Sequence, residues 1–134
     1  MSHEPAASEF PETEARIVEM VFPNHTNSQD QLFGGHALSL MDKLAFIVSS
    51  RYARLPMVTA SSEKVDFHSP VLEGNLVEFI GRVVRVGRTS VRVGIEMYSE
   101  NLLSGERRLC TTGEFVMVAV DREGNAIPVP RPTA

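Results

Sequence analysis

A single cysteine, Cys110, is among the scarcest residues of this 134-residue chain. It cannot close an internal disulfide, which fits a reducing, cytoplasmic setting. The histidines His3, His25, His36 and His68 are scattered, and none stands with a second His, Cys or acid at metal-ligand spacing, so no metal is expected. Walker and Rossmann glycine motifs are missing. No apolar run approaches the ~18 residues that cross a bilayer, so no membrane span is expected. The acidic opening MSHEPAASEFPETEAR lacks the apolar stretch of a secretory signal. Positive charge is in deficit, 13 Lys and Arg against 17 Asp and Glu, and the net charge of −4 argues against general nucleic-acid binding. There are no internal repeats.

What is present is organised around Asn24 to Arg51, NHTNSQDQLFGGHALSLMDKLAFIVSSR. A polar loop leads through Gly34-Gly35 into an apolar helical run. At 100° per residue, Gly35, Leu38, Ser39, Asp42, Ala45, Phe46 and Ser49 share one face. Ala37, Leu40, Leu44, Ile47 and Val48 take the other. A helix apolar nearly all round is buried on most sides, so it is expected at the centre of the domain.

Before it, ARIVEMVF (15–22) reads as a first strand ended by Pro23. After Pro56 the period changes to 2. Extended segments are expected over 58–68, 76–86, 90–99 and 107–120, with turns at SPVLEGN, Gly87-Arg88, 101–105 and 121–125. Val91, Val93, Ile95 and Met97 alternate with Arg92, Gly94, Glu96 and Tyr98, the pattern of a half-buried strand. Short connections make neighbouring strands antiparallel. The result is one α+β domain over 15–127, with a flexible segment at 1–14 and a Pro-rich tail at 128–134 that is not expected to pack. One sheet covers only part of such a helix. That bare side, and the Val116, Val118, Val120 stripe, point to a second subunit.

Asp42 is the leading chemical candidate. Its neighbours one turn away, Leu38, Ser39, Ala45 and Phe46, place the carboxylate in largely apolar surroundings. Burial there is costly unless it is useful, and desolvation makes a carboxylate a better general base. The alternative is an Asp bonded to backbone across an interface. Gly34 and Gly35 offer helix-start N–H groups to an anion or a carbonyl, or simply make a turn. Asn27 could orient a water or shape its loop, and His68 could line a site or end a strand. Arg82, Arg85, Arg88, Arg92, Arg107 and Arg108 fall within 27 positions. They form either a solvated strand face or an anion site suited to phosphates. Cys110 reads as a small core residue.

Taken together, HTNSQDQLFGGHALSLMD, VTASSEKVDFHSPVLEGN and GRTSVRVGIEMYSE resemble the hotdog-fold acyl-CoA thioesterases. They are most similar to bacterial short- to medium-chain and cytosolic long-chain acyl-CoA hydrolases. The resemblance covers about residues 15 to 130, and its most specific part is T-N, L-F-G-G and M-D at their spacing. It implies a hotdog fold, with an antiparallel sheet of about five strands round one long helix, dimerising edge to edge, and dimers assembled into a hexamer.

The same resemblance implies hydrolysis of fatty acyl-CoA to free acid and coenzyme A with no separate cofactor. Asp42 matches the catalytic carboxylate, as general base or nucleophile. Asn27 matches the loop amide that holds thioester or water, expected to face Asp42 of the other chain. Gly35 matches the N–H that polarises the carbonyl, with Gly34 beside it. Gly87, Arg88, Thr89 and Ser90 match the turn by the nucleotide end of coenzyme A, with Arg85 near and His68 at the substrate. Asp30, where relatives often carry Gly, and His68 depart from the pattern. The rivals are a hotdog hydratase or dehydratase built on His68, and a non-catalytic acyl-CoA sensor.

Overall fold

Strand β4, Ser90–Glu100, keeps the alternation in full: Val91, Val93, Ile95 and Met97 are buried while the residues between them are half-buried. The structure, a computed structural model, describes residues 13–131. Strand β1 (Ala15–Met20) leads through a 3-10 turn at Pro23–His25 into helix α1, Gly34–Ala53. Strands β2 (Met57–Phe67), β3 (Leu76–Val86), β4 and β5 (Arg107–Ala119) follow. They form one five-stranded antiparallel sheet in the order β1-β3-β4-β5-β2. The hairpins β3–β4 and β4–β5 pair directly because their connections are short.

Helix α1 lies on one face of the sheet and contacts all five strands. Ala37, Leu40, Met41, Leu44, Ala45 and Val48 are buried against Phe79, Ile95 and Met117. Fully burying one such Leu or Met contributes roughly 1.5–3 kcal/mol. The helix stops where Arg54 turns left-handed, φ 53°, and its N–H bonds Ser50 O at 2.7 Å. Strand β3 passes so close that a Cβ on Gly81 would lie 3.0 Å from Leu44 Cγ. Cys110 is a buried core residue whose Sγ is 3.3 Å from Ser99 Oγ.

Three expectations need correction. Of the segment 1–14 expected to be flexible, residues 1–12 lie outside the described residues. Thr13 is buried, and Glu14 accepts hydrogen bonds from Arg16 and Arg82. The closing Pro-rich stretch does pack: Val129 is in the core, its N–H bonds Arg88 O at 2.9 Å, and Tyr52 donates to Pro130 O at 2.7 Å. An isolated apolar residue in such a stretch anchors it because a groove between β5 and the 87–89 turn is there to receive it. Finally, Asp42 is exposed in the single chain, not buried. The sheet takes the opposite side of the helix and leaves the face of Gly35, Ser39, Asp42 and Phe46 uncovered.

Candidate active site

That uncovered face carries the chemistry. Asp42 Oδ1 accepts a hydrogen bond from Thr59 Oγ1 at 2.6 Å, while its second oxygen has no partner among the described residues. A bond to a charged acceptor at this distance is of the strong kind. Thr59 reaches the helix because β2 forms the sheet edge beside β5, where Thr59 pairs with Met117. Sequence reasoning missed Thr59: nothing in VTASSE distinguishes one hydroxyl from the next, and only the pairing register selects it.

One end of α1 is left open. Phe33 precedes the helix without a side-chain cap, so the N–H groups of Gly34 and Gly35 have no partner among the described residues. A Cβ on Gly35 would sit 2.9 Å from the Phe33 ring, and one on Gly34 3.9 Å from Phe67. Below this start lies a cavity of about 300 Å³, walled by Leu32, Ala37, Val71 and Met97 and by Gly34, Phe67 and His68. Neither Asp42 nor Asn27 lines it. His68 is exposed, with Nε2 3.4 Å from Thr112 Oγ1.

Asn27 shapes its own loop: its Oδ1 accepts from the N–H groups of Gln29 and Gln31 at 2.9 and 3.1 Å. No hydrogen bond joins it to Asp42 within the chain, and its amide nitrogen has no partner among the described residues. Asp30 in this loop has φ 59°, a conformation in which glycine is at ease. The loop is fixed to the helix by His25, whose ring stacks on His36 at 4.1 Å.

The arginine cluster divides. Arg82 pairs with Glu14 and Glu96, Arg92 with Glu63 and Glu114, Arg107 with Glu78 and Glu100, and Arg108 with Glu106. These four belong to a solvated, charge-compensated strand face. The Arg82 and Arg16 guanidiniums hold the Glu14 carboxyl below its usual range against the pull of burial. For Glu78, burial pulls upward and is outweighed by Arg107 and Arg16. Arg85 and Arg88 alone have no ion pair among the described residues. Arg88 lies in the turn Gly87-Arg88-Thr89-Ser90, closed by Gly87 N–H to Ser90 O at 2.8 Å. That turn is tethered from below: Thr89 O accepts from Ala119 N–H at 3.0 Å and Arg88 O from Val129. Among the described residues no group of three or more His, Cys, Asp or Glu could hold a metal ion. None of the described helices is long and apolar enough to cross a membrane.

The chain is similar to proteins already known. An acyl-CoA thioester hydrolase of Bacillus subtilis, itself uncharacterized, is 39% identical over 129 residues, covering 92% of this chain and 75% of the relative. A hexameric acyl-CoA thioesterase superposes with a TM-score of 0.88 at 37% identity, covering 93% of this chain and 81% of that one. The acyl-CoA hydrolase of Staphylococcus aureus, solved with butyryl coenzyme A, coenzyme A and coenzyme A disulfide, gives 0.86 at 28%, covering 93% and 77%. Three other structures of that enzyme each replace one residue by alanine: an asparagine, an aspartate 15 positions later, and a threonine 17 positions after that. Residues 30–106 match the model of the thioesterase superfamily. With the five-stranded sheet round one long helix that these structures share, the chain belongs to the thioesterase superfamily of hotdog fold.

Proposed function

We propose that this chain hydrolyses acyl-CoA thioesters to a free acid and coenzyme A. The observation that carries the reading is the Asp42 carboxylate, held by Thr59 at 2.6 Å on an uncovered helix face with one oxygen free. Gly35 stands seven residues earlier on that face, about 10 Å along the axis at 1.5 Å per residue. Helix N–H groups point toward the N-terminus, so a carbonyl hydrogen-bonded to the Gly35 N–H lies beyond Gly35, away from Asp42 of its own helix, and the carboxylate that meets it is the one a second copy brings.

In this arrangement the Gly35 N–H stabilises the oxyanion that develops on the carbonyl. The free oxygen of Asp42 takes a water's proton, or attacks the carbonyl itself through a mixed anhydride. Thr59 keeps the carboxylate aimed. The spacing of the three residues replaced in the S. aureus enzyme is that of Asn27, Asp42 and Thr59 here, which supports a role for all three. Coenzyme A is part of the substrate, and the reaction invokes no metal or redox group. Arg88 and Arg85, the cluster's two uncommitted guanidiniums, meet the phosphates of the nucleotide.

The site is completed by a second copy. The helix face of Gly35, Ser39, Asp42 and Phe46 and the edge strand β2, exposed along most of its length, are covered when two chains meet. Asn27 of one chain then donates toward the thioester held at Asp42 of the other. Dimers assemble into a hexamer like that of the structural relative, and the enzyme works in the cytoplasm. The test is an acyl-CoA chain-length panel read by free thiol, with light scattering on the same sample. Thiol release by an oligomer is expected, whereas coenzyme A binding without turnover of any ester means a sensor instead. In a single turnover in oxygen-18 water, label entering the Asp42 carboxylate marks the anhydride route, and label only in the acid marks the general base.

A further inference from the structure

We propose that the cavity under the start of α1 receives the acyl group and that Thr111 gives it a preference for acyl groups carrying an oxygen. This rests on the hydrolase reading above. Thr111 lines the cavity and is fully buried, yet its Oγ1 has no hydrogen-bond partner among the described residues. It lies on the helix-facing side of β5, between Phe67 on β2 and Met97 on β4. Phe67 is the ring that approaches Gly34. The hydroxyl therefore lies one strand away from the open helix start, where the thioester carbonyl docks.

Leu32, Ala37, Val71 and Met97 make the apolar part of the wall, and His68 and Ser69 are its other polar side chains. Valine would fill the same strand position with the same shape and no unpaired hydroxyl. A buried hydroxyl left without a partner is unfavourable in the empty protein and becomes favourable when a ligand oxygen bonds to it. The volume of about 300 Å³ limits the ligand. At a water's ~30 Å³ per heavy atom it holds roughly ten atoms, a short or medium acyl group with room for a hydroxyl or keto oxygen. A net gain from one neutral hydrogen bond corresponds to about a three- to tenfold preference.

The test compares matched pairs, butyryl- with 3-hydroxybutyryl-CoA and hexanoyl- with 5-hydroxyhexanoyl-CoA. In wild type the oxygenated member of at least one pair is expected to have a three- to tenfold higher kcat/KM. Thr111→Val is expected to bring that ratio to about one, and Thr111→Ser, which keeps the hydroxyl, to retain it. Calorimetric titration of the Asp42→Asn variant with the same intact esters reads the preference from binding alone. If wild type turns over none of the esters, the hydrolase reading fails while the titration still decides the preference. Equal affinity within both pairs, or a ratio that survives Thr111→Val, overturns the proposal.

Discussion

Replacing Asp42 by Asn tests the proposed chemistry with little disturbance to the fold. Oδ1 accepts from Thr59 at 2.6 Å, and an amide oxygen can keep that bond. The other position, free in the structure, becomes an NH2 that can neither accept a proton nor attack. Losing a general base costs 10²–10⁴-fold in rate, or about 3–5 kcal/mol of transition-state stabilisation at 1.36 kcal/mol per decade. Thr59→Val removes the aiming bond. A hydrogen bond to a charged group is worth about 1.5–3 kcal/mol, so a loss of about ten- to a hundredfold is expected, no larger than that of Asp42→Asn. Because Thr59 acts only through Asp42, the double variant should be no slower than Asp42→Asn alone. The assay is thiol release under saturating acyl-CoA, with Tm at fixed protein concentration as the folding control. Asp42→Asn within tenfold of wild type, or a double variant slowed by the product of the single effects, would refute the reasoning.

Gly81→Ala should lower Tm by several degrees in calorimetry, since its Cβ meets Leu44 Cγ at 3.0 Å and Val48 Cγ2 at 3.2 Å and such overpacking costs about 1–3 kcal/mol; an unchanged Tm would show that helix and sheet separate more freely than their packing implies. Against the upward pull of burial, Arg107 and Arg16 hold the Glu78 carboxyl below the usual glutamate range, so its stabilisation is present above that range and is lost as pH falls through the folded value. The Tm advantage of wild type over Glu78→Gln should therefore shrink in acid below about pH 4.5, and an advantage constant from pH 7 to pH 3 would contradict it. Arg88→Ala should raise KM for acyl-CoA roughly two- to tenfold with little change in kcat. It should leave an acyl-pantetheine ester unaffected, and an equal effect on both substrates would remove Arg88 from the nucleotide end.

Asp42 and Thr59 show how legibility differs within one site. Asp42 could be picked out because a carboxylate among Leu38, Ala45 and Phe46 is conspicuous along a helix. Thr59 was silent, since its role arises from pairing between β2 and β5, which local pattern does not encode. The arginines divide in the same way. Six in 27 positions are visible as a cluster, but which are neutralised depends on registers such as Arg92 lying beside Glu114 and Glu63. The tail misled for a related reason: prolines signal an extended chain, and nothing local tells whether a groove awaits Val129.

By itself the sequence determined the elements and their order. Periods of 3.6 and 2 follow from backbone geometry, so the helix at 34–53, the alternating strands and the turns at Gly87 and Gly105 were readable without a structure. Tertiary structure alone decided which side of the apolar helix the sheet would take. It covered Ala37, Leu40, Leu44 and Val48 and left Asp42 uncovered beside Thr59. A helix apolar on two sides has two nearly equivalent ways to bury itself. Close packing against Gly81 and its neighbours on β3 and β4 chooses one of them, and so determines which face is left for chemistry and for a second copy.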